Sequence, residues 1–428
     1  ETGSFDLDVR GITIFVGPNN SGKSLALREI EAVINENPPP GNLRIVTDFD
    51  IDWPEISLIN EKIEEAKLIS PPNVPVGRVQ LGRINPNGGR EVAHVDISTL
   101  ESIASHKNNK GWMASQFIKW GVIRLDGRSR FNLTNDQSGG DLEAPPQNVL
   151  SHLFQDESAR SSVRKLVKDA FNVNFYVDPT NLGQLRIKLA DGLLPTDEQS
   201  LSVDARRFYR SATHIKDASD GVQAFTGIVT AVLSGEYHTI LIDEPEAFLH
   251  PPLARKLGKS LAGIAAKRNG ALMASTHSSD FLMGCVQASS SVKVVRLEYS
   301  QGKSRARSID PEALEKFLKK PLMRSANVIS GLFHDGVIVL ESDNDRAFYS
   351  EIFYRMAEDR PDYPSILFVN AQNKQTIREI IGPLREFGVP AAAIPDVDIL
   401  KDGGTTWTNW LKAARVPEAL HVGLGQQR

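Results

Sequence analysis

Eight residues near the start of the chain have the types and the spacing of a phosphate-binding loop. Gly17 to Ser24 fit the pattern G-x-x-x-x-G-K-[ST], directly after an apolar run at 11–16 and before a helical pattern at 25–35. Backbone N–H groups of such a loop curl around phosphate oxygens, and the helix N-terminus adds positive potential. Lys23 would reach the β- and γ-phosphates of ATP, and Ser24 would bind Mg²⁺. The strand and helix context argues against a chance match in a glycine-rich turn.

Two carboxylates follow a second apolar run at 240–242, in the order Asp243 and Glu244. An apolar strand that ends in this way is a Walker B arrangement. Asp243 would hold Mg²⁺ through water, and Glu244 would orient or deprotonate the attacking water. On its own the pair is better explained as a solvated strand end. In a chain that also has a phosphate-binding loop, it predicts a site for nucleotide hydrolysis.

Further motifs accompany these two. Asn19 and Asn20 lie within the loop, Ser219-Asp220-Gly221-Val222-Gln223 heads a helix before the Walker B strand, and Ser275-Thr276-His277-Ser278 ends the next strand. The set resembles the ABC-type ATPases of the structural-maintenance and DNA-repair group. The resemblance implies that the nucleotide is bound by these residues: Gly17, Asn19, Asn20, Gly22, Lys23, Ser24, Asp243, Ser219 and Gly221.

The same resemblance implies a dimer. In that family the signature, here Ser219 and Gly221, meets the γ-phosphate on the partner subunit, so ATP is sandwiched between two heads and acts as a switch. His277 would be the switch histidine, although a histidine that merely caps a strand end would look the same in isolation. Val222 departs from the family, because many relatives carry Glu there, so the signature is degenerate.

A second carboxylate cluster lies near the C-terminal end. Glu341 follows the apolar run 337–340, and Asp396 and Asp398 follow another apolar run, 396 − 341 = 55 residues later. We expect Glu341, Asp396 and Asp398 at neighbouring strand ends, with the two aspartates facing one site if the chain is still extended there. Such carboxylates repel one another unless a divalent cation lies among them. A Mg²⁺ or Mn²⁺ site suited to phosphodiester cleavage is the natural use.

This second pattern looks like a TOPRIM domain, in which a strand-end Glu is followed by D-x-D after a later strand. Asp345 fits the further acidic residue of the nuclease-type members, so the metal ligands implied are Glu341, Asp345, Asp396 and Asp398. The family has Gly directly after the Glu, whereas this chain has Ser342. Exposed strand-end carboxylates without a metal, in a degenerate and noncatalytic domain, remain the alternative.

An ABC-type ATPase followed by TOPRIM resembles the OLD (overcoming lysogenization defect) family of ATP-dependent nucleases. The resemblance implies an ATPase and a DNA endonuclease or nickase of bacterial anti-phage defence, acting on phage or plasmid DNA as a homodimer or higher homo-oligomer. An accessory defence protein or a retron nucleic acid would be a further partner. The alternative is an ATPase sensor or scaffold whose TOPRIM-like domain binds a partner or nucleic acid without cleaving it. A DNA-repair clamp is a third class, and the lack of heptads and the acidic cluster count against it.

The elements that must position these residues are an alternation of strands and helices, which predicts an α/β fold with parallel sheets. Specifically, we expect an ABC-type ATPase head at 1–310, with 42–210 as an inserted α+β and helical region that serves dimerisation. A linker at 311–332 and a TOPRIM α/β domain at 333–428 would follow. Within the insertion, 122–131 reads as a hairpin with Asp-Gly at its turn.

The composition of the chain excludes several classes of protein. The chain has 428 residues, a net charge of −4 and one cysteine, Cys285, which excludes an intrachain disulfide framework and a Cys-rich zinc site. No apolar run reaches the ~18 residues that span a bilayer, so we expect a cytoplasmic protein without a membrane partner. Relatives carry a basic residue after the D-x-D, and Lys401 and Lys412 are nearby. Either the chain continues past Arg428 in life or that role is vacant.

Overall fold

The computed structural model describes residues 6–68, 74–235, 237–268, 270–300, 303–320, 327–360, 362–401 and 403–427. The predicted linker at 311–332 lies partly outside these ranges, because 321–326 are not among them. Within them, parallel strands alternate with helices, as the sequence predicts for an α/β protein.

The strands in chain order are β1 Gly11–Val16, β2 Arg78–Ile84, β3 Arg90–Asp96, β4 Val122–Leu125, β5 Gln137–Ser138, β6 Asn174–Asn181, β7 Gln184–Ala190, β8 Thr213–His214, β9 Thr239–Asp243, β10 Ala271–Ser275, β11 Val292–Ser300, β12 Lys303–Ile309, β13 Gly336–Leu340, β14 Ile366–Asn370 and β15 Ala391–Ile394. The α-helices are α1 Lys23–Asn35, α2 Ile56–Leu68, α3 Ile97–His106, α4 Lys110–Gln116, α5 Ser129–Asn132, α6 Val149–Gln155, α7 Glu157–Phe171, α8 Val203–Ser211, α9 Asp220–Leu233, α10 Pro251–Lys267, α11 Ser279–Ala288, α12 Pro311–Lys319, α13 Asp343–Ala357, α14 Lys374–Glu386, α15 Gly404–Ala413 and α16 Glu418–Gln427.

The main sheet has six strands in the order β12-β11-β1-β10-β9-β4. Its strands are parallel except for β12, which pairs antiparallel with β11 at one edge. β1 lies inside the sheet, where Ile14 is opposite Ala274 on β10 and Val294 on β11. Because β1 is buried on both faces, its sequence is a continuous apolar run rather than an alternating one.

The region 42–210 contains two further small sheets. β2 and β3 form an antiparallel hairpin, which packs with α2 and α3 around its own apolar cluster that includes Ile59, Val79 and Leu100. β5, β7 and β6 form an antiparallel sheet, with β8 added on β7. The same region also supplies β4, the outer strand of the main sheet, so the expected insertion takes part in the ATPase fold itself.

The predicted hairpin at 122–131 is wrong. β4 pairs in parallel with β9, with Val122 opposite Thr239, and the chain then enters the short helix α5. The Asp126 carboxylate accepts hydrogen bonds from the backbone N–H groups of Arg128 and Ser129, at 2.9 and 3.0 Å. This local bonding turns the chain into a helix, because an Asp side chain competes with the turn that would lead back into a second strand.

A second parallel sheet, in the order β14-β13-β15, forms the C-terminal unit. Its apolar side chains are continuous with those of the first unit, since one buried cluster contains Val294, Phe317, Val337 and Leu384. In the part of the chain that the structure describes, no helix has the length and apolarity to cross a membrane.

Candidate nucleotide and metal sites

The phosphate-binding loop has a backbone that requires glycine at two positions. Gly17 has φ 144° and lies so close to β11 that an added Cβ would overlap the carbonyl oxygen of Leu297. Gly22 has φ 95° at the start of α1, and a Cβ there would meet the side chain of Ile45. Only glycine adopts these dihedrals without strain while allowing such close approach. Asn19 and Asn20 are exposed at the tip of the loop.

Lys23 lies at the centre of the loop, with its ammonium bound by loop carbonyls. Nζ donates to the carbonyl oxygens of Gly17 at 2.9 Å and Pro18 at 2.7 Å. Burial lowers the pKa of Lys23 to about 8, while the nearby carboxylates, Glu244 first, act in the opposite direction. A buried cation at this position is ready to be compensated by phosphate oxygens.

Ser24 and Asp243 meet although they are 219 residues apart. The Ser24 hydroxyl donates to Asp243 Oδ1 at 2.8 Å, and the Ser275 hydroxyl donates to the same oxygen. The meeting follows from the sheet, because β1, β10 and β9 are parallel neighbours and their carboxyl ends lie at one edge. A hydroxyl and a carboxylate oxygen are suitable ligands for a hard divalent cation.

Glu244 and His277 lie side by side next to this pair. Glu244 has φ 48°, and its backbone N–H donates to the Ser275 carbonyl at 3.0 Å. His277 Nε2 is 3.7 Å from Glu244 Oε1, which is too long for a direct hydrogen bond. Burial lowers the pKa of His277, and the Lys23 ammonium acts in the same direction. A neutral imidazole beside an exposed carboxylate is an arrangement that can orient a water molecule.

Glu246 belongs to the same constellation, although its position in the sequence does not predict a role. Its Oε1 accepts a hydrogen bond from the His277 backbone N–H at 2.7 Å, and its Oε2 is buried without a partner. Burial raises the pKa of Glu246. The bond fixes the backbone of His277 relative to the Walker B segment. The acidic run that follows Asp243 was the available sequence signal.

Arg130 is the second residue that sequence reasoning missed. It is among the most buried large side chains of the protein, and its Nη2 donates to the main-chain carbonyl of Asp243 at 2.7 Å. Nε donates to the Asp126 carbonyl at 3.2 Å. Burial lowers the pKa of Arg130. This guanidinium supports the carboxyl end of β9. Its acceptor, Asp243, is 113 residues away, so no local sequence pattern reveals the contact.

The expected signature lies at the start of α9. Ser219 is exposed, and Gly221 is so close to the Phe248 carbonyl that a Cβ would be 2.8 Å from its oxygen. Among the described residues, no hydrogen bond joins Ser219 or Gly221 to the phosphate-binding loop of the same chain. Their role in trans stays a prediction.

The C-terminal carboxylates are only partly brought together. β13 and β15 are parallel neighbours, with Leu340 opposite Ile394, so Glu341 and Asp396 follow adjacent strand ends. The Asp396 backbone N–H donates to Glu341 Oε2 at 3.3 Å. The two residues therefore lie at one edge of the second sheet, as parallel topology requires.

Asp345 and Asp398 have other partners. Asp345 Oδ2 accepts from the Ser342 hydroxyl at 2.6 Å in a capping box at the start of α13. The chain does not stay extended after Asp396, because a 3₁₀ helix spans Val397–Lys401. Asp398 within it is 3.1 Å from Lys374 Nζ.

The structure does not assemble the predicted four-carboxylate cluster. Across the described ranges, no three His, Cys, Asp or Glu side chains are grouped so that they could hold a metal ion. Lys374 instead compensates the charge of Asp398. Lys374 lies at the start of α14, directly after the loop that follows β14.

Comparisons with known proteins agree with the two units. Residues 82–284 match the family model described as "AAA domain, putative AbiEii toxin, Type IV TA system", and residues 332–398 match "Overcoming lysogenization defect protein-like, TOPRIM domain". A protein of Thermus scotoductus named "OLD nuclease" is 22% identical in an alignment of 447 positions that covers 92% of this chain and 79% of that protein. The first match begins after the phosphate-binding loop, so the assignment of that loop rests on its motif and geometry.

Solved structures with similar folds include ATPase heads. An SmcHead bound to the C-winged helix domain of ScpA has a TM-score of 0.40 and 13% identity, covering 72% of this chain and 92% of that chain. An SMC head domain from Thermotoga maritima has a TM-score of 0.33 and 13% identity, covering 70% of this chain and 90% of that chain.

The family models, the named relative and the sheet topology confirm the fold class and the enzyme class that the sequence predicts, and they imply the use of a nucleotide and a divalent metal. The protein is therefore an ATPase joined to a nuclease, in which an ATPase domain is followed by a TOPRIM domain that is similar to that of overcoming lysogenization defect proteins.

Proposed function

We propose that the protein is an ATP-regulated DNA endonuclease that nicks phage or plasmid DNA in the bacterial cytoplasm as part of anti-phage defence. The observation that carries the proposal is the pairing of two strand-end sites on one chain. Ser24 and Asp243 meet beside the phosphate-binding loop, and Glu341 and Asp396 meet at the edge of the second sheet. The nuclease part of the proposal is supported by the relative named OLD nuclease.

In the ATPase domain, Lys23 contacts the β- and γ-phosphates of ATP, with Gly17, Asn19, Asn20 and Gly22 forming the cradle. Ser24 and Asp243 would hold Mg²⁺, and the ion would supply positive charge beside the phosphates. Glu244 orients the attacking water, and His277 senses the γ-phosphate beside it. Ser219 and Gly221 act on the nucleotide of a second copy, so the active form is at least a homodimer.

In the TOPRIM domain, Glu341 and Asp396 would hold Mg²⁺ or Mn²⁺, and Asp345 and Asp398 would join them after exchanging their present partners Ser342 and Lys374. A divalent cation stabilises the attacking and leaving oxygens of a phosphodiester. Asp398 would have to leave Lys374 to join a metal at this edge. We assign the ATPase to 1–310, the linker to 311–332 and the TOPRIM domain to 333–428.

The test is nicking of supercoiled plasmid with Mg²⁺ or Mn²⁺, with and without ATP. Glu341→Gln keeps the shape of the side chain but removes the charge, so nicking is expected to be lost, with ATP turnover retained. Asp343→Asn is the matched control, because Asp343 is exposed and pairs outward with Arg346 at 2.8 Å. Equal nicking by wild type and Glu341→Gln would sink the assignment of the nuclease site.

The ATPase half has its own test. Glu244→Gln is expected to slow ATP hydrolysis by roughly 10²- to 10⁴-fold, the usual contribution of a general base, while ATP binding persists. Turnover at the wild-type rate would refute the assignment of Glu244.

A second candidate function is an ATPase sensor or scaffold whose TOPRIM-like domain binds an accessory protein or a retron nucleic acid without cleaving DNA. Two contacts favour this second function. Asp345 accepts a hydrogen bond from Ser342, and Asp398 pairs with Lys374, so both carboxylates already have partners where a metal would need them. This function predicts ATP hydrolysis without nicking and a stable complex. Mass measurement of the purified assembly would reveal the extra component.

A further inference from the structure

Arg296, in the middle of β11, is a buried cation that the nucleotide and metal sites do not use. It is 2% exposed, and an arginine at such depth requires acceptors for its guanidinium. Nη2 donates to the main-chain carbonyl of His334 at 2.9 Å, and Nη1 donates to that of Gly388 at 3.1 Å. Glu298, two residues along the same strand, forms an ion pair with it. Both carbonyls belong to the C-terminal unit.

The two carbonyls are not arbitrary points of that unit. His334 lies two residues before β13, and Gly388 lies three residues before β15. These are the neighbouring strands whose opposite ends carry Glu341 and Asp396. One planar guanidinium therefore spans the entry ends of both strands, and its fork geometry fixes the two acceptors relative to each other.

Along one edge, β11 pairs with β1, the strand that leads into the phosphate-binding loop. Arg296 is opposite Val16, the last residue of β1, and the next carbonyl, that of Leu297, is in closest contact with Gly17. The approach leaves no room for a Cβ, so a shift of the loop backbone must be taken up by β11. β11 is thus in direct contact with the nucleotide site at the residue that follows Arg296.

The surrounding packing would transmit such a shift rather than absorb it. Phe317 on α12 forms an edge-to-face ring pair with Phe387, with centroids 5.3 Å apart. Lys320 and Glu379 form an ion pair at 3.0 Å across the same boundary. Densely packed side chains have discrete arrangements and little compressibility, so movement on one side is passed to the other.

We propose that Arg296 is a positioning residue that couples the nucleotide state of the phosphate-binding loop to the spacing of Glu341 and Asp396. The coupling rests on the proposed function, since it concerns how ATP regulates the TOPRIM site. The route is short: the loop at Gly17, the Leu297 carbonyl, the Arg296 guanidinium, and the entry ends of β13 and β15. A nucleotide that shifts the loop changes the separation of the two strands without contacting them.

The decisive variants are Arg296→Gln and Arg296→Lys. Gln removes the charge and cannot reach both carbonyls, and Lys keeps the buried charge but replaces the fork by a single ammonium. Arg305→Gln is the matched control, because Arg305 is exposed on the adjacent strand β12 and is opposite Glu298. The variant Arg296→Lys also controls for misfolding, because it keeps a cation beside Glu298.

The first measurement is hydrogen exchange on the full chain, with and without a non-hydrolysable ATP analogue and Mg²⁺. In the wild type and in Arg305→Gln, the analogue is expected to change the exchange of amides in 336–340 and 391–394. In Arg296→Gln this change disappears, in Arg296→Lys it is reduced, and the protection of the phosphate-binding loop by the analogue persists in both.

The second measurement is the ratio of nicking rates with and without ATP. Arg296→Gln should lower this ratio by about fivefold or more, the lower end of ordinary coupling between sites, while ATP turnover stays near that of the wild type. A wild type that binds the analogue but shows no change in 336–340 and 391–394 overturns the coupling and leaves the ATPase assignment intact. Equal responses of Arg296→Gln and the wild type also overturn it. Failure of the wild type to bind ATP removes the proposed function and the coupling together.

Discussion

At the scale of single residues, two buried cations stabilise the edge of the main sheet that carries the nucleotide site. Lys23 is bound by the carbonyls of Gly17 and Pro18, and Arg130 is bound by the carbonyl of Asp243. Phosphate oxygens that approach Lys23 would take over the role of the loop carbonyls. Arg130 has no such exchange available, so it serves as a fixed support under the Walker B strand.

Glu246 provides a prediction at this scale. Glu246→Ala removes the acceptor of the His277 backbone N–H, so His277 is displaced, and ATP hydrolysis should fall roughly 10- to 100-fold. Nucleotide affinity should change less than the rate, because Glu246 acts on Lys23 through its charge and, among the described residues, makes no hydrogen bond to the loop. Glu246→Gln keeps an amide oxygen in place of Oε1 and should restore most of the rate. Steady-state kinetics with a nucleotide-binding titration separate the two effects, and an equally impaired Gln variant would contradict the positioning role.

The site could be predicted from the sequence where its residues are joined by a short motif. Lys23, Ser24 and Asp243 were predicted because a strand, a loop and a helix follow each other locally. Arg130 and Glu246 were missed, since their partners lie 113 and 31 residues away and nothing in the local spacing reveals them. The same limit applies to Arg296, whose acceptors belong to another sheet.

At the level of elements, partner choice was harder to predict than element type. Most strands and helices near the motifs were expected at nearly the observed bounds, because buried runs and amphipathic patterns are local signals. β4 was expected in a hairpin, yet it pairs with β9, whose first residue is 117 residues away. Strands that pair in parallel are not joined by a short turn, so the sequence around β4 does not indicate its pairing with β9. The Asp-Gly pattern at Asp126 suggested a hairpin partner nearby instead.

The packing of α9 against α5 yields a prediction of stability. Gly227 on α9 lies so close to the Arg130 carbonyl that an added Cβ would overlap its oxygen. Gly227→Ala should therefore lower the free energy of unfolding by roughly 1–3 kcal/mol through overpacking. Gly263→Ala on α10 is the control, because nothing lies within 4 Å of its Cβ position. That change should raise the free energy by up to about 1 kcal/mol, because alanine favours helix. Urea denaturation followed by circular dichroism measures both, and equal effects would argue against the close contact.

At the scale of the whole molecule, one large apolar cluster joins the ATPase and TOPRIM units. The cluster that contains Cys285 on α11 also contains Val337 and Leu384 of the TOPRIM domain. The two units therefore protect each other from water, and the predicted linker does not separate them into independent bodies. Three smaller clusters of the described residues are separate from it, and one of them lies around β2 and β3.

Cys285 allows this to be measured. It is fully buried, and burial raises the pKa of its thiol, so neither access nor ionisation favours alkylation. Native protein should react with iodoacetamide on the order of 10³-fold more slowly than a free cysteine, since labelling requires an opening comparable to global unfolding. Urea-unfolded protein is the control for full reactivity. If the variant Leu384→Ala, in the other unit, speeds native labelling, the shared core is supported; rapid labelling of the wild type would contradict it.

The central position of β1 has a consequence for synthesis on the ribosome. β1 ends at residue 16, but its neighbours β10 and β11 begin at residues 271 and 292. At about 5–20 residues per second, translation takes roughly 13 to 50 s to reach β10. For that time the run from Ile12 to Val16 has no strand to pair with, and a growing chain must keep it from aggregating. The phosphate-binding loop that follows β1 can therefore take its final form only after β10 and β11 have been made.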